Sequence, residues 1–552
     1  MLIKWVFGYG VRQNGFWGTQ RPTTKLLNGR ALLRGFVWVA LGLKVYLCPN
    51  MRRYVIIFSL LRLIATMAYA QTPTKIEFVH ANSLEGDESL GKDVRRLIGN
   101  VVFKQDNTLM YCDSAYLYAS SNSMDAFGKV RIQQGDTITL TGDVLKYNGN
   151  TRQARLLNNI VLRDSKMTLT SQNLTYNLDT GIADFTDGGK IIDAENTLVS
   201  KFGIYNSQLK KLYFKQDVLL QHPGYQMATD TLVYSTVSKI TEFYGPCYIR
   251  SSDSSYIYCE KGWYNTITEK SFFTQNAFLQ NKSQKLSGDS LYYDNLTEQG
   301  RAYSRVSLYD SIEKNRIDGD YGYYDRKNGQ AYITGNLLMR KFFEKDTLYL
   351  HADSLVAAFD TTGSTKLYSA YHQVRLFKND IQSVCDSLVY TASDSMLRMF
   401  KEPVVWSDLN QLTADTIAMR ITRDGIEKMY LYHSAFIASR EDSLRYNQLR
   451  GKSMIGYFEK NSLVKIDVFG NGQSIYFARN KKNELTGVNR ADCSNMIILL
   501  KENKISRLKL IEKPDATFYP IGELKTNELV LKGFSWQENK RPSDKQDIFN
   551  RN

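Results

Sequence analysis

Between Leu97 and Phe469 the polar and apolar positions alternate. Apolar residues take every second place in short runs such as Gly99-Asn100-Val101-Val102-Phe103, Gly128-Lys129-Val130-Arg131-Ile132 and Gly335-Asn336-Leu337-Leu338-Met339. Versions without the glycine include Arg305-Val306-Ser307-Leu308 and Gln373-Val374-Arg375-Leu376. A period of two is that of a strand with one buried face. Turn residues separate the runs at hairpin lengths, as in Asn148-Gly149-Asn150, Asp179-Thr180-Gly181 and Lys327-Asn328-Gly329. No helical period is sustained anywhere in this span.

A second motif, Asp-Ser/Thr-Leu-x-Tyr, returns at a steady interval. It begins at Asp230, Asp289 and Asp386, with looser copies from Asp113, Asp143, Gln172, Lys201, Glu260, Asp320, Asp353 and Asp415, in steps of 29 to 33 residues. One unit of about thirty residues reads as three short strands. Such a unit cannot bury its apolar face alone, so successive units must stack and share one core. Only 9 prolines occur in 552 residues, as central strands require. The architecture expected is all-β, one elongated repetitive stack, with units that drift after Asp415 and a polar, frayed end over Ser535–Asn552. The recurring Asp is expected at strand starts, satisfying free backbone N–H groups. The Leu and Tyr that follow share its face and are either core or a lining that meets a lipid.

Composition changes this picture only after the N-terminus is set aside. The net charge of +15 and pI near 9.2 suggest nucleic acid. Ten Lys or Arg and no acid fall in residues 1–70, however, and the remainder carries only +5. With acids and bases intermixed there is no basic stripe, which argues against nucleic-acid binding. From Met51 the sequence MRRYVIIFSLLRLIATMAYA has the basic start, apolar stretch and Ala68-Tyr69-Ala70 ending of a signal peptide cleaved after Ala70. Residues 1–50 then read as an upstream extension, with translation starting at Met51. The expected divisions are residues 51–70 as signal peptide, 71–96 as a lead-in strand, 97–510 as repeats, and 511–552 as a last strand and polar tail.

Candidate chemistry is sparse. The five cysteines after Ala70, Cys112, Cys247, Cys259, Cys385 and Cys493, are odd in number and irregularly spaced, a poor disulfide framework. Cys247 with Cys259 is the one pairing to consider; otherwise all five read as small apolar strand residues. His80, His222, His351, His372 and His433 are scattered, and no HExxH, zinc-type Cys pattern, GxSxG or Walker loop occurs. Neither a catalytic site, a metal nor a cofactor is expected.

The alternation of Gly-x-Val-x-apolar-x-Gln with Asp-x-apolar-x-Tyr resembles the OstA/LptA family. It stands as Gly99 to Gln105, Asp113 to Leu117, and Gly128-Lys129-Val130-Arg131-Ile132-Gln133-Gln134 leading to Asp143-Val144-Leu145-Lys146-Tyr147. The resemblance covers roughly residues 76–510. It implies an open β-jelly roll of the Gram-negative periplasm that carries lipopolysaccharide, its lipid A acyl chains sheltered between two sheets. The groove residues so implied are Val101, Phe103, Val130, Ile132, Val218, Leu220, Val306, Leu308, Leu337, Met339, Val374, Leu376, Val404 and Trp406. Implied partners are lipopolysaccharide and other jelly rolls of the export bridge, docked end to end by strand pairing. Self-association and a place at the outer membrane are further expectations. The rival expectation is an envelope scaffold or glycan-binding repeat protein with a packed interior.

Overall fold

A computed structural model describes residues 74–86, 91–135, 138–252, 255–359, 365–422, 425–459, 462–480, 482–501 and 504–550. The expectations about the upstream extension and signal peptide lie outside these residues. Among the described residues there are thirty-four strands and three short 3-10 turns. They group into two compact units, residues 74–165 with 172–181, and residues 166–171 with 182–550.

The fold is a repetitive antiparallel β-jelly roll, and each unit of the repeat is two long strands rather than three short ones. Thr108–Tyr118 and Ser123–Gln134 make one such hairpin, Gln284–Asp294 and Gln299–Asp310 another. Strands close where an Asx side chain catches the turn. Asn148 Oδ1 accepts the backbone N–H groups of Asn150 and Thr151 at 3.0 and 3.1 Å. The expected strand break is instead a corner inside one strand. Ile98 pairs with Ser114 and Val101 with Cys112, so Gly99 and Asn100 together face the single residue Asp113. Both take positive φ, 81° and 49°. The same doubled bulge recurs at Gly128-Lys129, Asn158-Asn159, Gly335-Asn336 and His372-Gln373. Bulges of this kind bend a strand, and repetition at alternate long strands divides each unit into two half-sheets.

This corner explains the recurring Asp, which stands at mid-strand and not at a strand start. Asp230, Asp289 and Asp386 are the middle residues of Tyr225–Ser235, Gln284–Asp294 and Ile381–Thr391. Carboxylates of the recurring Asp hold the next corner at several of the units. Asn159 Nδ2 donates to Asp143 at 2.7 Å, Asn336 Nδ2 to Asp320 at 2.7 Å, and Arg305 Nε to Asp289 at 2.7 Å. The bulge also shifts the alternation by one residue. Asp113 is therefore exposed while Leu117, four positions on, is buried, so the two do not share a face.

Within residues 74–181 the two half-sheets are latched along one margin. Tyr147 donates its hydroxyl hydrogen to Gln105 Oε1, and Tyr176 does so to Gln134 Oε1 at 2.6 Å. Gln105 Nε2 reaches the Gly149 carbonyl at 3.0 Å and Gln134 Nε2 that of Leu178 at 3.0 Å. The Gln of one motif thus binds the Tyr of the other, 42 residues on. Burial pushes the phenols of Tyr147 and Tyr176 above their ordinary titration range.

The C-terminal segment is docked, not frayed. Gln448 donates to the Leu529 carbonyl at 2.9 Å and accepts the Leu531 N–H at 2.9 Å. Gln411 does the same for Ser535 and Gln537, at 2.6 and 2.7 Å. Arg541 Nε then donates to Gln382 at 2.9 Å, and Phe549 packs on His351 with ring centroids 4.6 Å apart. The chain therefore runs back across the strands Tyr446–Glu459, Asn410–Thr413, Ile381–Thr391 and Thr347–Phe359 as a strap. Leu531 joins a cluster with Phe436, Ala438, Ile475, Phe477 and Val488. Polar composition misled here because the strap binds mainly through its backbone.

Candidate functional site

Cross-strand register defines one apolar row on the interior face of each unit. In residues 74–165 it runs Phe103, Met110, Ile132, Leu140, Leu162. Every member is at most 1 % exposed. In residues 182–550 the corresponding row passes through Leu220, Ile249, Leu279, Leu308 and Met339 to Leu376. It continues through Ser383, Val405, Leu412, Ile437 and Leu449 to Ser474.

A cavity of about 2230 Å³ opens behind this row, between residues 312 and 508. One wall carries Met339, Leu350, Leu376, Leu412, Ile437 and Leu449. The other carries Leu388, Met399, Met419, Met429, Ile466 and Ile498, from the opposite half-sheet. The two walls part around a hydrocarbon interior, with Tyr368 and Tyr390 adding rings. Charges collect at the strand ends and turns of the lining. Lys378 sits 3.7 Å from Asp346 and 2.5 Å from Asp380, Lys341 is 3.5 Å from Glu313, and Arg479 pairs with Glu441. Arg440 also lines the cavity, its guanidinium 5.1 Å over Trp536 and its buried Nε without a partner. Among the described residues no cluster of His, Cys, Asp and Glu could hold a metal ion.

Of the groove residues expected from sequence, Met339 and Leu376 line the cavity. Leu220 and Leu308 lie on the same row, half-buried. Val218, Val306, Leu337 and Val374 form a second row beside the corners, at most 1 % exposed, opposite Thr229, Gly319, Ala352 and Cys385. In the first unit Val101, Phe103, Val130 and Ile132 are likewise buried, with the latched margin beside them. Val404 and Trp406 face the other way. Val405 pairs with Leu412 on the cavity side, whereas Trp406 pairs with Gln411, to which its indole donates at 3.3 Å beneath the strap. The strand keeps step with the others, in which the row residue is the third after the corner: Met339 after Asn336, Leu376 after Gln373 and Val405 after the corner Lys401-Glu402, with Pro403 in the place of Val374. The far wall was missed as a groove, although Leu388 and Tyr390 belong to the Asp-x-Leu-x-Tyr motif that suggested a lining. Elsewhere the motif tyrosines Tyr147, Tyr176, Tyr264 and Tyr293 are core, at most 7 % exposed.

All five described cysteines are free and buried, and Cys247 stands directly opposite Cys259 with no disulfide between them. Burial, with Asp113 and Asp386 nearby, pushes the Cys112 and Cys385 thiols up to about 12.

The class so defined is an antiparallel β-jelly roll that holds a hydrocarbon-lined cavity between half-sheets. Residues 73–230 match the family model described as OstA-like protein, and residues 316–424 the model described as LptA/(LptD N-terminal domain) LPS transport protein. Over these two stretches the chain is OstA/LptA-like. A solved structure found by comparison is that of LptH, the LptA homologous periplasmic component of the conserved lipopolysaccharide transport device from Pseudomonas aeruginosa. It is 11% identical, with 20% of this chain and 81% of that chain covered and a TM-score of 0.19. A search of the curated proteins finds no match.

Proposed function

We propose that this protein is a periplasmic component of lipopolysaccharide transport that shelters acyl chains in the cavity between its half-sheets. The cavity itself carries the reading. Hydrocarbon walls on both sides, with room of about 2230 Å³ between them, are costly to leave against water unless an apolar ligand fills them. The two family matches supply the lipid class. Met339 and Leu376 are the sequence-derived residues that touch acyl chains, joined by Leu412, Met419 and Met429. Val218, Leu220, Val306, Leu308, Leu337 and Val374 continue the same interior, and Val101, Phe103, Val130 and Ile132 its counterpart in residues 74–181, where lipid entry requires the Gln–Tyr latches to open. The outer edges of Lys504–Ile511 and Asp515–Pro520 offer strand docking to further jelly rolls of an export bridge or to a second copy.

Photo-crosslinking amino acids at Leu376, Met419 and Met429 test this in the full chain with lipopolysaccharide. Adducts at these positions and none at exposed Lys452 are expected. Absence of adducts from all three cavity positions favours the rival scaffold with no lipid cargo. Arg375 is unsuitable as an outward control, since the strap covers it and its guanidinium donates to the Lys540 carbonyl at 3.2 Å.

A further inference from the structure

The apolar row along the cavity is interrupted at two places by a serine. Ser383 pairs across strands with Leu376 and Val405, and Ser474 with Leu449 and Ala491. Both residues line the cavity. They are only 1 % and 6 % exposed, and neither Oγ has a hydrogen-bond partner. Four strands separate them along the row, which at the usual strand spacing puts them roughly 24 Å apart.

A buried hydroxyl with no partner is unfavourable relative to alanine. Ordered water is a poor remedy, because a buried water makes about three hydrogen bonds and the cross-strand neighbours of both serines are alkyl side chains. Serine adds nothing to packing that alanine would not. The group that would satisfy these hydroxyls must therefore arrive with an apolar ligand, inside its hydrocarbon part. We propose that Ser383 and Ser474 are specificity-determining residues that select acyl chains hydroxylated along their length over plain ones. The proposal rests on the reading of the cavity as an acyl-chain groove and adds which chains it prefers. A serine hydroxyl both donates and accepts, so it can pair with a chain hydroxyl in either sense. A plain chain leaves both serines unpaired, and that difference is the discrimination.

The test uses the purified full chain and two synthetic diacyl glycolipids of equal chain length, identical except for one hydroxyl on each chain. Equilibrium binding of both is measured for the wild type and for a protein carrying Ser383→Ala and Ser474→Ala. The wild type is expected to bind the hydroxylated glycolipid about tenfold more tightly. The double variant is expected to bind both alike, at the wild-type affinity for the plain one. Its ligand-free melting temperature should equal or exceed that of the wild type, which a packing role for the serines would not give. Equal wild-type affinities, or a preference that survives in the double variant, overturn the assignment while leaving the groove intact. If the wild type binds neither glycolipid, the assignment and the transport reading fall together.

Discussion

At the corners, single residues carry the fold. Gly335 has φ +78°, and a Cβ there would lie 2.8 Å from Cβ of Asp320. Gly335→Val therefore combines backbone strain with a close contact. It should cost about 1–3 kcal/mol, seen as a lower urea midpoint with an unchanged slope. Asn336→Asp should also destabilise the corner, because it places a second carboxylate 2.7 Å from Asp320 in place of a donor. Other corners, such as Asn158-Asn159, Gln216-Asp217, His372-Gln373 and Lys401-Glu402, carry no glycine, so the glycine motif marked only part of the repeat. The thiols of Cys112 and Cys385, raised to about 12, are expected to resist alkylation at pH 8 in the native protein and to react fully once it is denatured. Quantitative mass spectrometry of the labelled peptides checks this.

At the scale of elements, the strap is held by glutamines rather than by its own composition. Gln411→Ala leaves the Ser535 carbonyl, the Gln537 N–H and the Trp406 indole unpaired. A loss of about 2 kcal/mol is expected, with a red shift of tryptophan emission as Trp406 and Trp536 become wetter. The end of the strap should also respond to acid. Asp547 accepts the Ser543 N–H at 2.8 Å and the Asn550 amide at 2.7 Å, with Arg375 nearby, and these hold its carboxyl below the ordinary value of 3.8. A depressed folded pKa stabilises docking above the ordinary value and ceases to do so as pH falls through the folded one. Amide exchange over residues 541–549 should therefore be slow at pH 6 and faster at pH 3, relative to the exchange expected for an unstructured peptide at each pH.

For the molecule as a whole, the question is whether the space behind the inner row is a site or a packing flaw. Leu376→Trp with Met419→Trp adds volume to both walls of the cavity. In an open groove the added rings occupy vacant space, so the melting temperature should hold or rise while lipid binding falls at least tenfold. In a closed core the same substitutions overpack and should cost about 1–3 kcal/mol each. The latched margin of residues 74–181 offers the complementary prediction. Tyr147→Phe removes the hydrogen bond to Gln105 and leaves a buried acceptor unpaired. It should lower stability by about 1 kcal/mol, measured by denaturant melting.

The amino-acid sequence alone shows the repeat, the all-β class and the alternation that turns Val101, Phe103, Leu337 and Leu376 inward, because a period of two follows from strand geometry. It also carried the Gln and Tyr motif residues, though not that one binds the other. What depends on residues distant in the chain emerges only from the folded arrangement. A strand crosses its corner without breaking because a neighbouring Asp holds the bend. Val404 and Trp406 face away from the cavity because Val405 is the third residue after its corner, the place that Met339 and Leu376 hold after theirs. The polar tail is docked because Gln382, Gln411 and Gln448 meet its backbone and Arg541 from up to 159 residues away. Whether an inward apolar residue is core or lining was likewise beyond the pattern. The same alternation builds the buried row of residues 103–162 and the cavity wall at 339–449, and only the separation of the opposing half-sheet distinguishes them.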